Sequence, residues 1–167
     1  MIDRTEDMRS SEALKNWKEC NEVTMSFLES VPEKIYPNKP FQPRFRPFSW
    51  EFACLLTTRQ MYINGIKCGN LDGNSECVPE KEAEEYSKEK MKIELARTDE
   101  LIHEIIKGKE KTITFFGKKT STPALMSWLM QHEQLHFGKL MIYAAQAGLD
   151  QPKELKKMWG EGSFSKS

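Results

Sequence analysis

Two histidines one helical turn apart, with a glutamate between them, are the residues best suited to chemistry. They lie in the stretch "MQHEQLHFGKLMIYAAQAG", where His132, Glu133 and His136 form the pattern His-Glu-x-x-His. Imidazoles at positions i and i+4 of a helix lean the same way and can bind one divalent cation. Such a cation lowers the pKa of a bound water molecule or thiol. The spacing predicts a metal site in which Glu133 orients a histidine or moves a proton.

The same pentapeptide is also the zinc pattern of metallopeptidases. That function needs a third protein ligand downstream and a strand edge along which a peptide can lie. Only 31 residues follow His136, and their acidic members are Asp150, Glu154 and Glu161, in the last turn and tail. A zinc peptidase is therefore a remote alternative. A nearer one is a pair of hydrogen-bonded core histidines that binds no metal.

Four segments with helical periodicity must position these residues. Apolar side chains recur at helical spacing over about Ser11–Val31, Trp50–Lys67, Glu80–Lys107 and Pro123–Ala147. The sequence has no strand pattern of consequence beyond a short extended piece in "KTITFFG". These features predict an all-α four-helix bundle, built as a single domain over residues 1–167.

The connections between the helices carry their own signals. The segment "VPEKIYPNKPFQPRFRPF" holds five of the eight prolines, which predicts an extended crossing segment. Ser49 is the predicted N-cap of the second helix, and Pro152 starts a short C-terminal helix, "PKELKKMW". The aromatic residues of the crossing segment predict that it packs on the bundle; they are Tyr36, Phe41, Phe45 and Phe48.

The apolar stripes predict which polar side chains enter the core. His132 and His136 share the inner face of the fourth helix, whereas His103 lies off the stripe of the third helix and is predicted at the surface. Arg59 is the one charged residue on the inner face of the second helix. On the outer face of the third helix, Glu84 and Lys88 are spaced as an i,i+4 ion pair.

Composition excludes several classes of function. Lys+Arg and Asp+Glu are equal at 25 each, so the chain lacks the positive charge that nucleic-acid binding normally needs. The apolar runs are too short to span a bilayer, and the polar N-terminus is unlike a secretory signal. The four cysteines show no CxxC pairing and are expected to be reduced. We expect a soluble cytoplasmic protein without nucleic-acid or membrane partners.

The stretch "HEQLHFGKLMIYAAQAG" resembles the last bundle helix of the DinB/YfiT-like superfamily, in which HExxH precedes G-[QK]-L, then Tyr, then Gly. The residues that match in order are His132, Glu133, His136, Gly138, Lys139, Leu140, Tyr143 and Gly148. "PFSWEFACLLTTRQMYINGIKCG" is similar to the second helix of the family and "ALKNWKECNEVTMSFLESVPE" to the first. "TITFFGKKTSTPALMSWLMQHE" is similar to the segment that leads into the last helix.

The resemblance implies a bundle with a divalent metal, zinc or nickel, in its core, and members of the family are often homodimers. Three histidines typically hold the metal, one from the second helix and two from the fourth. Some branches are thiol-dependent transferases that use low-molecular-weight thiols, and others are metal-dependent hydrolases. Many members have no established activity, so the resemblance names no substrate.

The second helix departs from this pattern. No histidine lies within Phe48–Lys67, and the position equivalent to the family's ligand falls at Cys54, Leu55 or Leu56. Cys54 could supply a thiolate instead, or Glu51 a carboxylate from one turn earlier, because zinc accepts both ligands.

Two functions of different classes follow. The first is a metal-dependent hydrolase or thiol transferase in which Glu133 is the catalytic side chain. The second is a metal-free bundle that binds a small molecule or forms a dimer, with Arg59 closing the cavity and pairing with Glu133. In either case Tyr62 and Tyr143 could line the cavity.

Overall fold

The computed structural model describes residues 4–39 and 45–160, with the backbone alone for residues 4–10. Its helices are α1 (Arg4–Ser30), α2 (Phe48–Cys68), α3 (Glu80–Glu84), α4 (Lys88–Lys107), α5 (Thr122–Gln146) and α6 (Lys153–Trp159). Its strands are β1 (Asn70–Leu71), β2 (Thr112–Phe115) and β3 (Lys118–Ser121).

The four long helices form a bundle. Helix α2 packs against α4 and α5, and α1 packs against the same two helices, so α4 and α5 lie at opposite corners. The predicted all-α four-helix bundle is confirmed, as is a short C-terminal helix, α6, which packs on α1. Because α2 and α5 are neighbours, residues on their facing sides can meet.

The bundle carries a small sheet at one end, where only one short extended piece was predicted. Strand β1 pairs in parallel with β2, which pairs antiparallel with β3. Gly65 allows β1 to pack directly on α2, because a Cβ atom there would lie 2.6 Å from the Cβ of Leu71. Strand β1 has only two residues, too few to show an alternating pattern in the sequence.

The predicted third helix is two helices. Helix α3 ends at Glu84, and α4 starts after Ser87, whose side chain accepts a hydrogen bond from the backbone N–H of Lys90. This cap fixes a new helix start. The predicted ion pair between Glu84 and Lys88 is wrong, because the two residues fall on either side of the break. The Lys88 ammonium instead donates to the carbonyl oxygen of Val31 at 2.7 Å.

Two predicted helix starts also need correction. Helix α1 begins at Arg4 rather than near Ser11, and α2 begins at Phe48. Ser49 is therefore inside the first turn of α2 and is not its N-cap; its backbone N–H donates to the carbonyl oxygen of Tyr36 at 2.9 Å. Pro47 occupies the cap position without a side-chain hydrogen bond.

The ends of the crossing segment pack on the bundle. Tyr36 and Phe48 are buried. The rings of Phe45 and Tyr143 pack edge to face at a centroid distance of 5.8 Å, although Phe45 remains exposed. Phe41 lies outside the described residues. None of the described helices combines the length and apolar composition that crossing a membrane requires.

Candidate metal centre

Helices α2 and α5 bring a cysteine and two histidines together. His136 lies on the core-facing stripe of α5 and is 1% exposed, whereas His132 lies at the edge of that stripe and is half-buried. Cys54, also half-buried, faces them from α2. One potential ligand atom from each of Cys54, His132 and His136 lies within 4.8 Å of the other two.

The spacing of these atoms fits a tetrahedral zinc ion. The Nε2 atoms of His132 and His136 are 3.2 Å apart, and the Sγ atom of Cys54 is 3.7 Å from Nε2 of His132. Zinc–nitrogen bonds of about 2.05 Å and zinc–sulfur bonds of about 2.3 Å at tetrahedral angles require separations of about 3.3 Å and about 3.6 Å. Two of the three separations therefore match those of a tetrahedral zinc site, and the third pair, Cys54 and His136, has ligand atoms within 4.8 Å of each other.

Glu51 lies behind His136 and fixes its ring. Its Oε2 atom is 2.6 Å from Nδ1 of His136, its Oε1 atom accepts from the hydroxyl of Tyr143 at 3.2 Å, and the ammonium of Lys139 lies 3.5 Å from Oε2. A carboxylate in this position keeps the proton on Nδ1 and leaves the Nε2 lone pair free for a cation. In this geometry Glu51 supports a ligand, and the convergent ligand atoms come from Cys54, His132 and His136.

Burial and charge set the protonation of the other two side chains. Burial, and then the neighbouring His136, lower the pKa of His132 to about 4, so its imidazole is neutral near pH 7. Burial, and then the charge of Glu80, raise the pKa of Cys54 to about 11. The Nδ1 atom of His132 is buried and has no hydrogen-bond partner among the described residues. The neutral imidazole of His132 is in the form that binds metal, and the Cys54 thiol would lose its proton on binding.

Glu133 belongs to a different cluster, deeper in the bundle. Its Oε1 atom accepts from Nε of Arg59 at 2.8 Å, and its Oε2 atom accepts from Nη2 of Arg59 at 2.8 Å and from the hydroxyl of Thr24 at 2.5 Å. Arg59 also donates to Asn21 at 2.9 Å and lies over the ring of Trp17 at 4.9 Å. Both charged side chains are fully buried.

This pairing corrects two predicted roles. The described hydrogen bonds of Glu133 go to Arg59 and Thr24 and none goes to a histidine, so the structure gives it a place in the ion pair and not beside the histidine rings. Arg59 does not close the histidine site, since none of its described contacts is to a histidine. Burial, the largest single influence, lowers the pKa of Arg59, but the charge and hydrogen bonds of Glu133 together with Cys20 and Asp99 outweigh it and raise that pKa, so the guanidinium stays charged.

The buried pair also counts against a peptidase. A zinc peptidase of the His-Glu-x-x-His type uses the glutamate as its general base. Here that glutamate is 0% exposed and holds a guanidinium. The pentapeptide therefore supplies two histidines to one cluster and the glutamate to another.

The remaining predicted site residues fall in different places. Tyr143 contacts the candidate metal site through Glu51, whereas Tyr62 packs among apolar side chains such as Leu125 and Leu129, two turns beyond Cys54 along α2. His103 is partly exposed and lies 3.8 Å from Asp99. Sequence reasoning missed the roles of Asn21 and Thr24, although two polar residues on the apolar stripe of α1 were a usable signal.

The chain is thus a four-helix bundle with a candidate metal site, Cys54, His132 and His136, between two neighbouring helices. The family model described as "DinB family" matches residues 1–159. The chain therefore belongs to the DinB family.

A solved structure supports the same fold. The DinB-like protein from Bacillus cereus ATCC 10987 is similar to this chain with a TM-score of 0.64 and 17% sequence identity, over 84% of this chain and 93% of that chain. At this identity the similarity shows the fold alone. A comparison with curated proteins finds no match.

Proposed function

We propose that the chain binds one divalent metal ion through Cys54, His132 and His136 and uses it for hydrolysis or thiol-dependent group transfer. The observation that carries the proposal is the convergence of three ligand atoms within 4.8 Å, two of whose separations agree with those of a tetrahedral site. Membership of a family that is generally metal-associated supports it. Zinc suits one thiolate and two imidazoles, and nickel also accepts imidazole.

The donor set favours a reactive site over a purely structural one. Structural zinc sites are closed by four protein ligands, whereas reactive sites keep a position for water or substrate. Among the described residues, the cysteine and histidine cluster supplies three ligands. When bound, the metal would lower the pKa of a water molecule or substrate thiol at the fourth position.

The protein side chains have separate tasks in this proposal. Glu51 holds His136 in the tautomer that presents Nε2, and Tyr143 and Lys139 hold Glu51. The ammonium of Lys139, which is 36% exposed, provides a positive charge close to the centre, where an anionic substrate or leaving group would be stabilised. Glu133 has no part in the reaction; it positions α5 through its pair with Arg59.

Metal analysis of protein purified without a histidine tag tests the proposal. We expect about one zinc or nickel ion per chain, and loss of this ion in His132→Ala and His136→Ala. The control is His103→Ala, which removes the third histidine of the chain and should leave the metal content unchanged.

Cobalt replacement tests the third ligand. Cobalt bound to a thiolate gives a near-ultraviolet charge-transfer band, so wild-type protein should show this band and Cys54→Ser should lose it. Cys68→Ser changes an exposed cysteine and should keep the band. A metal-free preparation that refuses added zinc would contradict the proposal and favour a non-catalytic bundle.

A further inference from the structure

Two cationic side chains lie against one tryptophan beside the candidate metal site. Trp50 is half-buried in the first turn of α2, and the centroids of its ring and the ring of His136 are 6.4 Å apart. The guanidinium carbon of Arg46 and the ammonium nitrogen of Lys139 each lie 5.6 Å from the centroid of the Trp50 ring. Both distances are within the range of cation–π attraction. The indole ring therefore holds two positive charges next to a candidate metal ligand.

These two cations are unequally neutralised. The ammonium of Lys139 is 3.5 Å from Oε2 of Glu51. Arg46 is exposed, and none of the ion pairs among the described residues includes it. An arginine that lies against a ring and lacks a carboxylate keeps its planar set of donors available for an anion.

The charge around a bound metal ion favours an anion at this place. The thiolate of Cys54 and the carboxylate of Glu51 are negative, and the charge of Glu80 also reaches Cys54. A divalent ion together with Arg46 and Lys139 outweighs this negative charge. Because like charges that are close together repel, the arrangement is stabilised when an anionic group binds to it.

We propose that Arg46, Trp50 and Lys139 form an anion-binding subsite that selects a small anionic molecule as the substrate of the metal centre. The inference rests on the proposed function, because it concerns a molecule whose reacting atom binds the metal. An anionic group of that molecule, such as a carboxylate, accepts hydrogen bonds from the guanidinium of Arg46. Trp50 keeps Arg46 in place, and Lys139 adds a second positive charge.

Binding of small thiols to cobalt-loaded protein tests the subsite without an assay of activity. A thiol that binds at the fourth position changes the absorption of the cobalt, so a titration measures its affinity. The probes are mercaptopropionate, mercaptoethanol and cysteamine, which are similar in size and are anionic, neutral and cationic near pH 7. We expect wild-type protein to bind mercaptopropionate most tightly.

Arg46→Gln separates the subsite from the metal. This variant should lower the affinity for mercaptopropionate about 10-fold and leave the affinity for mercaptoethanol and the cobalt content unchanged. Arg46→Lys keeps the charge and should recover part of the affinity. The control is Arg97→Gln, which removes an exposed arginine from α4 and should keep the wild-type preference.

Cobalt content distinguishes this inference from the proposed function. Protein that binds no cobalt contradicts both. Protein that binds cobalt without a preference for mercaptopropionate, or with the same preference after Arg46→Gln, overturns the subsite and leaves the metal centre in place. A cobalt spectrum that none of the thiols changes overturns the subsite too.

Discussion

The two polar clusters between α2 and α5 differ in how completely they are satisfied. In the cluster around Arg59 and Glu133, both carboxylate oxygens have donors and both charges are fully buried. In the cluster around Cys54, His132 and His136, two side chains are half-buried and Nδ1 of His132 has no partner among the described residues. His132 and Glu133 are neighbours in the sequence of α5, but His132 belongs to the Cys54 cluster and Glu133 to the Arg59 cluster.

This difference indicates which cluster stabilises the fold and which can act. A buried ion pair with complete hydrogen bonding is rigid, and it fixes the relative rotation of the helices that contribute to it. Ligand atoms that converge without complete hydrogen bonding to one another can instead bind a ligand placed between them. The Arg59 cluster therefore stabilises the fold, and the Cys54 cluster is where we propose that a metal binds.

The largest predicted effect comes from breaking the ion pair. Arg59→Ala leaves the carboxylate of Glu133 buried without its cation, so we expect a loss of about 3–5 kcal/mol in the free energy of unfolding. Chemical denaturation measures it. Arg59→Met combined with Glu133→Leu removes both charges and should cost less than Arg59→Ala alone. A double variant as unstable as the single one would contradict a dominant role for the unpaired charge.

Much of this architecture is encoded in local pattern. The 3.6-residue periodicity predicts the long helices, and it places His136 inside because that residue lies among leucines at helical spacing. Arg59 stood out as the one charge on the inner face of α2, and Glu133 as the available carboxylate. Both are buried as a pair in the structure.

The features that could not be predicted from the sequence depend on tertiary contacts. Whether Cys54 or Glu51 joins the two histidines as a potential third ligand is set by the rotation of α2 about its axis, and the two lie only one turn apart. The break before α4 was hidden because the sequence around Ser87 is rich in Glu and Lys, which are good helix formers.

The second prediction acts on the other cluster. Glu51→Gln replaces the carboxylate behind His136 by a neutral amide, so we expect metal affinity to fall about 10- to 100-fold while saturating metal still gives one ion per chain. Competition with a chelator measures the affinity. An unchanged affinity would mean that Glu51 does not support the ligand.

The smallest effect concerns a single hydrogen bond to the ion pair. Thr24→Val keeps the shape of the side chain but removes the donor to Oε2 of Glu133, which retains its bond from Arg59. We expect a loss of about 1–2 kcal/mol in the free energy of unfolding, measured by chemical denaturation, with no change in metal affinity. Thr57→Val is the matched control, because Thr57 is a buried helical threonine that bonds to the backbone carbonyl of Cys54.

Comparing the two threonine variants separates the effect of a hydrogen bond to a charged carboxylate from the effect of removing any buried hydroxyl. If Thr57→Val lowers the free energy of unfolding as much as Thr24→Val does, loss of a buried hydroxyl explains both effects. The bond from Thr24 to Glu133 then adds no stability beyond that of an ordinary buried hydrogen bond. If Thr24→Val also weakens metal binding, the two clusters are coupled through α5. In that case the ion pair would hold His132 and His136 in position as well as the fold, because Glu133 lies between them on the same helix.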